Sequence, residues 1–234
     1  ALNEAYMMPI GYVKNNMFLV DWSEDDFSTL DFYDLFDIFY HQIYGKEVPY
    51  EPSDNLGVGT VYQIPKEEFE HIMMAYLNID SETLQQKTLY HTDTKTYEYR
   101  PRGFYEAEYP EHPYPEVVDY TENADGTITL LVNVVFPYEG LSKVFSHEVV
   151  VRPLENDGVQ YVSNHVIPSE DNIEESWYKP RLTLAEWAEV YGAEFTRRHF
   201  LAAAEYAGKV ACSVEADLLD GERRTGQQHL CVTQ

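Results

Sequence analysis

Two aspartate–glycine turns, each between long runs of alternating apolar residues, constrain this sequence more than any other feature. Residues 117–121 and 127–136 flank Asn123-Ala124-Asp125-Gly126, and residues 143–154 and 159–167 flank Asn156-Asp157-Gly158. An aspartate–glycine pair suits the positive φ of a tight hairpin turn, and alternation with a period of two is typical of a strand with one buried face. The sequence therefore predicts two β-hairpins in an antiparallel sheet.

The second hairpin carries two polar residues on a face that is otherwise apolar. With a two-residue turn, one face holds Phe145, His147, Val149, Val151, Val162, Asn164 and Val166, and the other holds Ser146, Glu148, Val150, Arg152, Tyr161, Ser163 and His165. A polar side chain on a core-facing or cavity-facing surface needs a hydrogen-bonding partner. His147, Asn164 and Tyr161 are therefore candidates for a ligand pocket, with His147 as a candidate acid or base. The alternative is a histidine and an asparagine satisfied within the core.

The first helix is predicted between Ser28 and Gly45, after a short strand at residues 17–20. Ser28 has the side chain of an N-cap, with Asp31 three positions on, and Gly45 suits the left-handed residue that ends a helix. One stripe of this helix consists of Asp31, Asp34, Asp37 and His41. Carboxylates at this spacing spread around a helix rather than converge on one ion, so the stripe is predicted to be solvated and not metal-binding.

Shorter signals predict helices elsewhere in the chain. Pro65 suits the first position of a second helix, and Ser81 is the expected cap of a third. Thr183 and Glu186 have the spacing of a capping box, which predicts helices in the C-terminal part. The order of elements predicts an α+β fold in which N-terminal helices pack on a curved antiparallel sheet and C-terminal helices follow.

Tyrosine and proline are concentrated between residues 97 and 120. Exposed tyrosine rings stack on sugars or on protein partners, and the candidates for surface binding are Tyr97, Tyr99, Tyr105, Tyr109 and Tyr114. The alternative is that these amphipathic rings cover a half-buried sheet. Three prolines between residues 110 and 115 exclude a regular helix and a central strand there.

The chain carries 41 acidic and 16 basic side chains, a formal net charge of −25. Residues 1–180 hold 33 acidic and 10 basic side chains, whereas residues 181–234 hold 8 acidic and 6 basic ones. This change predicts an acidic, tyrosine-rich domain over residues 1–180 and a helical extension over residues 181–234. Because nucleic-acid binding requires lysine and arginine to meet the phosphates, so acidic a chain excludes nucleic acid as a partner.

Motif analysis excludes most catalytic and cofactor-binding classes. No nucleophile elbow, zinc-protease helix, phosphate loop or dinucleotide fingerprint occurs, and the Asn123–Gly126 turn lacks the terminal carboxylates of a calcium loop. The longest uncharged run, residues 126–138, is shorter than the roughly 20 apolar residues of a membrane-spanning helix. We therefore expect no cofactor, no bound metal and no membrane span within this chain.

Five segments carry a family resemblance: residues 64–69, 100–104, 146–154, 160–164 and 177–183, the third of which reads Ser146-His147-Glu148-Val149-Val150-Val151-Arg152-Pro153-Leu154. They resemble an uncharacterised family of secreted or lipid-anchored proteins of Gram-positive anaerobic bacteria, often of the gut. The resemblance covers about residues 20–192. It implies an extracellular or cell-envelope location, and it supplies no catalytic residue.

Three functional hypotheses follow. The predicted order of elements is similar to the NTF2-like and cystatin-like folds, in which helices cross a curved sheet and leave a cavity. The first hypothesis is a non-enzymatic module of the cell envelope that binds an unknown small molecule, a glycan or a protein. The second is an NTF2-like small-molecule enzyme with His147 in the cavity, beside Asn164 or a tyrosine. The third is a structural partner that docks through its C-terminal helices.

Overall fold

The computed structural model describes residues 1–49, 61–102, 112–137, 140, 143–155, 158–169, 178–186 and 188–189. The chain divides into two compact units. Unit 1 comprises Ala1–Pro49, Tyr62–Tyr99 and Phe104–Arg181, and unit 2 comprises Tyr50–Val61, Arg100–Gly103 and Leu182–Gln234.

Unit 1 contains two antiparallel sheets and three helices in the described ranges. In chain order the elements are a π-helical turn (Asn3–Met7), β1 (Trp22–Ser23), α1 (Phe32–Tyr44), β2 (Tyr62–Pro65), α2 (Lys66–Tyr76), α3 (Ser81–Gln86), β3 (Tyr90–His91), β4 (Thr96–Tyr99), β5 (Tyr114–Glu122), β6 (Ile128–Val135), β7 (Ser146–Pro153) and β8 (Val159–Ile167). The larger sheet has the strand order β1–β8–β7–β6–β5, and the smaller one has the order β2–β4–β3. The predicted α+β class is confirmed.

Both predicted hairpins are confirmed as β5–β6 and β7–β8. In the first turn the Asn123 N–H donates to the Thr127 carbonyl at 2.8 Å, and Gly126 has a φ of 84°. The Asp125 carboxylate accepts from the Thr127 N–H at 3.0 Å, which closes the turn. Residues 156 and 157 of the second turn lie outside the described residues.

The helices are arranged differently from the prediction of one N-terminal group on a single sheet. α2 and α3 lie between β2 and β3, two strands of the smaller sheet. This sheet forms because Tyr97 and Tyr99 alternate with polar residues and bury the same face of β4. The prediction of C-terminal helices falls on residues outside the described ranges, apart from residues 184–186 and 188–189, which are helical and belong to unit 2.

The start of α1 is set by Asp31 and not by Ser28. The Asp31 carboxylate accepts two backbone N–H groups of the first turn, each at 3.0 Å, so Asp31 is the N-cap. Ser28 instead lies in a turn in which its N–H donates to Asp26 at 2.8 Å. The predicted end is confirmed, because Gly45 has a φ of 63° and donates its N–H to the His41 carbonyl.

The starts of α2 and α3 also differ from the prediction by one residue each. Pro65 pairs within the smaller sheet and is the N-cap of α2, which begins at Lys66. Asp80, and not Ser81, caps α3, because its carboxylate accepts the Thr83 N–H at 2.7 Å. The capping box of unit 2 is confirmed by reciprocal hydrogen bonds between Thr183 and Glu186.

The predicted strand at residues 17–20 is wrong, because asparagine side chains turn the backbone there. Asn15 is fully buried and its side-chain oxygen accepts the Met17 N–H at 3.0 Å. Asn16 accepts the Asp31 N–H at 3.1 Å and donates to the Thr29 carbonyl at 2.7 Å. Local side-chain hydrogen bonds of this kind compete with strand pairing.

A β-bulge in β8 changes which side chains share a face with His147. The register pairs Val150 with Ser163 and Val151 with Tyr161, so Val162 is the extra residue. Tyr161 is therefore buried on the same face as Val151, whereas Val162, which was predicted to share that face, is only half-buried. A period of two predicts strand faces only where the ladder contains no bulge.

Replacement of Gly126 by alanine is expected to destabilise unit 1 by roughly 1–2 kcal/mol, the cost of a left-handed conformation for a residue with a Cβ. No atom lies within 4 Å of the position that the new Cβ would take, so steric contact adds nothing. Gly126→Asn is the matched control and should lose less stability than Gly126→Ala, because asparagine tolerates the left-handed backbone region. Urea denaturation measures both, and equal losses would contradict the backbone explanation.

Candidate functional site

A cleft of about 390 Å³ lies among the N-terminal segment, α1 and the beginning of β5. Its described lining consists of Met8, residues 10–14, Ile38 and residues 112–115. Apolar, aromatic and proline side chains predominate, and Tyr114 is 45% exposed. No acidic residue occurs in this described lining, although the chain has a net charge of −25. The cleft can therefore accept an apolar group, with or without a negative charge.

Two residues with left-handed backbone shape one wall of the cleft. Gly11 and Lys14 both have a φ of 60°, which costs glycine little but costs lysine roughly 1–2 kcal/mol. The buried Asn15 side chain holds the turn by donating to the carbonyls of Ile10 and Val13, both at 3.2 Å. This wall is thus fixed by the fold before any ligand binds.

Tyr12 connects the cleft wall to the predicted pocket residues His147 and Asn164. The Tyr12 hydroxyl lies 2.8 Å from His147 Nε2, and His147 Nδ1 lies 2.6 Å from Asn164 Oδ1. Asn164 in turn donates its amide to the Val20 carbonyl at 2.8 Å. The β7–β8 pair is in this way hydrogen-bonded to both ends of the segment from Tyr12 to Val20.

The direction of these hydrogen bonds defines the tautomer of His147. Because the Val20 carbonyl can only accept, Asn164 directs its NH₂ group to Val20 and its oxygen to His147. His147 Nδ1 therefore donates, and Nε2 accepts from the Tyr12 hydroxyl. Burial lowers the pKa of His147 to about 4, against the opposing effect of the Asn164 hydrogen bond, so the imidazole is neutral at pH 7.

The three predicted pocket residues are core residues in this arrangement. His147 is 0% exposed and lies among the rings of Tyr12, Phe18 and Phe145. Tyr161 is also buried, and its hydroxyl donates to the Tyr6 carbonyl at 2.6 Å. None of the three belongs to the described lining of the cleft.

A second polar cluster forms around the buried guanidinium of Arg181. Arg181 Nε donates to Asp34 at 2.6 Å, and Nη2 donates to Asp37 and to the Tyr33 carbonyl. The Tyr178 hydroxyl also donates to the fully buried carboxylate of Asp34, at 3.0 Å. Burial opposes the charge of Arg181, but the carboxylates of Asp37 and Asp34 outweigh it and raise the arginine pKa well above its usual value.

The prediction of a solvated stripe on α1 is therefore wrong for Asp34, which is buried, and holds only in part for Asp31 and Asp37, which are half-buried. Asp34 and Asp37 bind Arg181, and Asp31 caps the helix with its carboxylate 3.9 Å from Arg181 Nε. Carboxylates that spread around a helix converge here because one guanidinium offers several donors in different directions. His41, the fourth residue, is exposed and lies 3.4 Å from Glu47.

The predicted surface tyrosines also include two core residues. Tyr97 and Tyr99 are 0% and 1% exposed, and their hydroxyls donate to Glu70 and Asp37, each at 2.7 Å. Both rings pack on aromatic side chains of the helices, Tyr97 on Phe69 and Tyr99 on Phe36. The expectation that they bind a surface ligand is corrected by this burial.

Of the remaining surface candidates, Tyr105 and Tyr109 lie outside the described residues. Tyr114 is exposed and lines the cleft. The other cleft residues were not predicted; they come from the N-terminal segment, from Ile38, and from His112, Pro113 and Pro115 beside Tyr114. The signal that could have found the N-terminal ones is the apolar run from Met7 to Val13. This run contains Pro9 and Gly11 and has no helical or strand periodicity, so it suits a wall of irregular backbone.

The part of the chain that matches a known family ends at residue 181, where unit 1 also ends. A family of unknown function, DUF6070, matches residues 1–181, which is more than three quarters of the chain. The chain belongs to DUF6070. The resemblance to an uncharacterised family is confirmed at this level, and the DUF6070 region ends at Arg181, the residue that binds the α1 aspartates. No curated protein and no solved structure matches the chain.

Two negative findings concern the described part of the DUF6070 chain. No group of three or more histidine, cysteine, aspartate or glutamate side chains there is arranged to hold a metal ion. None of the helices in the described ranges has both the length and the hydropathy that a membrane crossing requires.

Arg181→Met is expected to destabilise the DUF6070 region by about 3–5 kcal/mol, because it leaves the buried Asp34 without its cation. The unfolding free energy of Arg181→Lys should lie between those of Arg181→Met and the wild type, since lysine keeps the charge but not the forked donors of the guanidinium. Chemical denaturation measures the unfolding free energy of each variant.

Arg152→Met is the matched control, because Arg152 also pairs with a carboxylate, Glu24 at 2.6 Å, but its side chain is 35% exposed. Its loss should stay at about 1 kcal/mol or less. A loss for Arg181→Met no larger than that of Arg152→Met would show that the buried cluster does not hold the fold.

The buried state of His147 predicts a pH dependence of stability. The pKa of His147 is about 4 in the folded chain and about 6.5 when unfolded, so the unfolded state binds the proton more readily. The stabilisation is complete above about pH 6.5 and is lost as the pH falls to about 4, by roughly 3 kcal/mol. Urea denaturation between these pH values measures it.

His147→Gln is the comparison, because glutamine keeps polar atoms but does not titrate. The carboxylates titrate in both proteins, so the difference between the two curves isolates the histidine. We expect the wild type to lose more stability than His147→Gln as the pH falls. Parallel curves would contradict the neutral, buried histidine.

Proposed function

We propose that the DUF6070 region is a non-catalytic binding module and that its ligand inserts an apolar or aromatic group into the cleft. The single observation that carries this proposal is the cleft lined by Tyr114, Pro113 and Pro115 opposite Ile10 and Ile38. The rigid rings of tyrosine and proline offer contact area at little entropic cost, which is typical of sites that bind aromatic groups and extended peptides.

The construction of the cleft supports binding rather than chemistry. Its wall rests on Tyr12, whose hydroxyl is engaged by His147, and burial raises the pKa of this tyrosine well above its usual value. Tyr12 therefore stays a neutral hydrogen-bond donor at physiological pH. The Tyr12 part of the wall thus offers shape and apolar area, and its hydroxyl is not poised to transfer a proton.

The alternative functions have less support. An NTF2-like enzyme would need His147 to reach a substrate, yet the imidazole is 0% exposed and both its nitrogens are hydrogen-bonded. Docking through C-terminal helices concerns residues outside the described ranges. We further propose an extracellular or cell-envelope location in a Gram-positive bacterium, which rests on the family resemblance of the sequence; fractionation of cells that produce the protein tests it.

The cleft predicts saturable binding of anilinonaphthalene sulfonate, an aromatic anion that suits an apolar site whose described lining contains no acidic side chain. Tyr114→Ala should weaken this binding about tenfold, because it removes an exposed ring from the lining. Tyr120→Ala is the matched control: Tyr120 is a 54% exposed tyrosine of the same strand and is not in the described lining.

Fluorescence titration gives the dissociation constants, and near-UV circular dichroism verifies that both variants remain packed. We expect one site per chain and an unchanged affinity in Tyr120→Ala. Equal weakening in the two variants, or binding that does not saturate, would refute the cleft as the binding site.

A further inference from the structure

The strand β5 is an edge of the larger sheet in the described part of the chain. The strand order ends at β5, whose one described ladder is formed with β6. The π-helical turn Asn3–Met7 contacts β5 but forms no described ladder with it. Seven of the nine β5 residues are exposed. An edge strand of this kind presents backbone N–H and C=O groups that an added strand can pair.

The side chains of β5 carry charge of one sign. Glu116, Asp119 and Glu122 are exposed on this strand. Residues 103–142, which include all of β5 and β6, contain eight acidic side chains and no lysine or arginine. A basic partner would therefore meet attraction along the whole strand, and an acidic one would meet repulsion.

Exposed apolar side chains accompany these carboxylates on the strand. Tyr114, Val118 and Tyr120 are 45%, 47% and 54% exposed. A strand added beside β5 would bring its own side chains next to them at the spacing of a sheet and cover part of their apolar area. Backbone pairing, charge and apolar contact are thus available on the same nine residues.

A second copy of this chain is not the occupant that the charges favour. Pairing β5 with another β5 would bring the same carboxylates together. The bulge between Val117 and Asp119 interrupts the edge for any added strand, so the charges and not the bulge distinguish the occupants. Acidic side chains on an edge strand are a device against self-association. The charges that oppose a second copy attract a basic strand.

We propose that β5 binds an extended, basic segment of a partner protein, rich in alternating lysine or arginine, which adds to the sheet as a sixth strand. This proposal goes beyond the binding of an apolar group in the cleft. The two surfaces meet at Tyr114, which lies in both. Addition of a strand to β5 does not require a ligand in the cleft.

The test uses the whole chain and a labelled peptide of five lysine–threonine repeats at about 50 mM salt, where screening is weak. Fluorescence anisotropy measures its affinity. The comparison peptides are five glutamate–threonine repeats and a lysine–threonine peptide with alternate backbone amides N-methylated, which keeps the charge but cannot pair as a strand. We expect binding of the first peptide alone, with slower hydrogen exchange at β5 amides.

The variant Glu116→Lys/Asp119→Lys should weaken peptide binding by about tenfold or more. The double variant Glu148→Lys/Glu155→Lys makes the same charge change at exposed residues of β7 and of the turn that follows it, and it should stay within about twofold of the wild type. Anilinonaphthalene sulfonate binding at the cleft should be close to unchanged in both variants, so failure at the edge and failure at the cleft are distinguishable.

Several outcomes would overturn the added strand. These are no binding of the lysine–threonine peptide at millimolar concentration, equal binding of its N-methylated form, and equal weakening by the two double variants, which would indicate diffuse attraction to an acidic surface. Dimerisation that protects β5 amides in the absence of peptide, measured by sedimentation and hydrogen exchange, would assign the edge to a second copy instead.

Discussion

The burial of one cation, Arg181, is the constraint on which the arrangement of unit 1 depends. A guanidinium removed from water has to be matched by carboxylates at fixed positions, and Asp34 and Asp37 provide them from α1. The helix can do so only because Asp31 sets its start and thus the direction of both side chains. Tyr99 of β4 completes the cluster, since its hydroxyl binds Asp37 and its ring lies under the guanidinium.

The N-terminal segment is held by a second, uncharged constraint. Irregular backbone over a sheet face carries polar groups that no strand or helix pairing satisfies. Side chains form hydrogen bonds to this segment instead: Asn15 and Asn16 from within it, and His147 and Asn164 from the sheet. The neutral histidine suits this position because it accepts from one side and donates to the other. The segment also forms a wall of the cleft, and Tyr12 belongs both to the core network and to the described cleft lining.

The sequence predicted what local rules determine. Turn chemistry and alternation gave both hairpins and the α+β class, and Gly45 gave the end of α1. The prediction from sequence failed where a residue distant in the chain determines the burial or the register. Nothing near Asp34 indicates that Arg181, 147 positions away, will bury it. The bulge at Val162 depends on the neighbouring strand, and the burial of Tyr97 depends on Glu70, so neither follows from a period of two. The cleft was missed because irregular segments have no period.

The acidity of the chain is best understood by what surrounds each carboxylate. Asp34, Asp37 and Glu70 are held by tyrosine, arginine or lysine donors. Asp34 and Glu70 are buried, and Asp37 is half-buried. Burial opposes the charge of Glu70, but the hydrogen bonds from Lys66, Tyr97 and Ser81 outweigh it and lower its pKa. Two surfaces then differ in charge: the described cleft lining is free of acid, and β5 is free of base. Since the like charges of a chain repel one another, a described cleft lining without acid beside an acidic edge is a placement that general solubility does not explain. This placement favours an apolar, neutral or anionic ligand at the cleft and a basic ligand at β5.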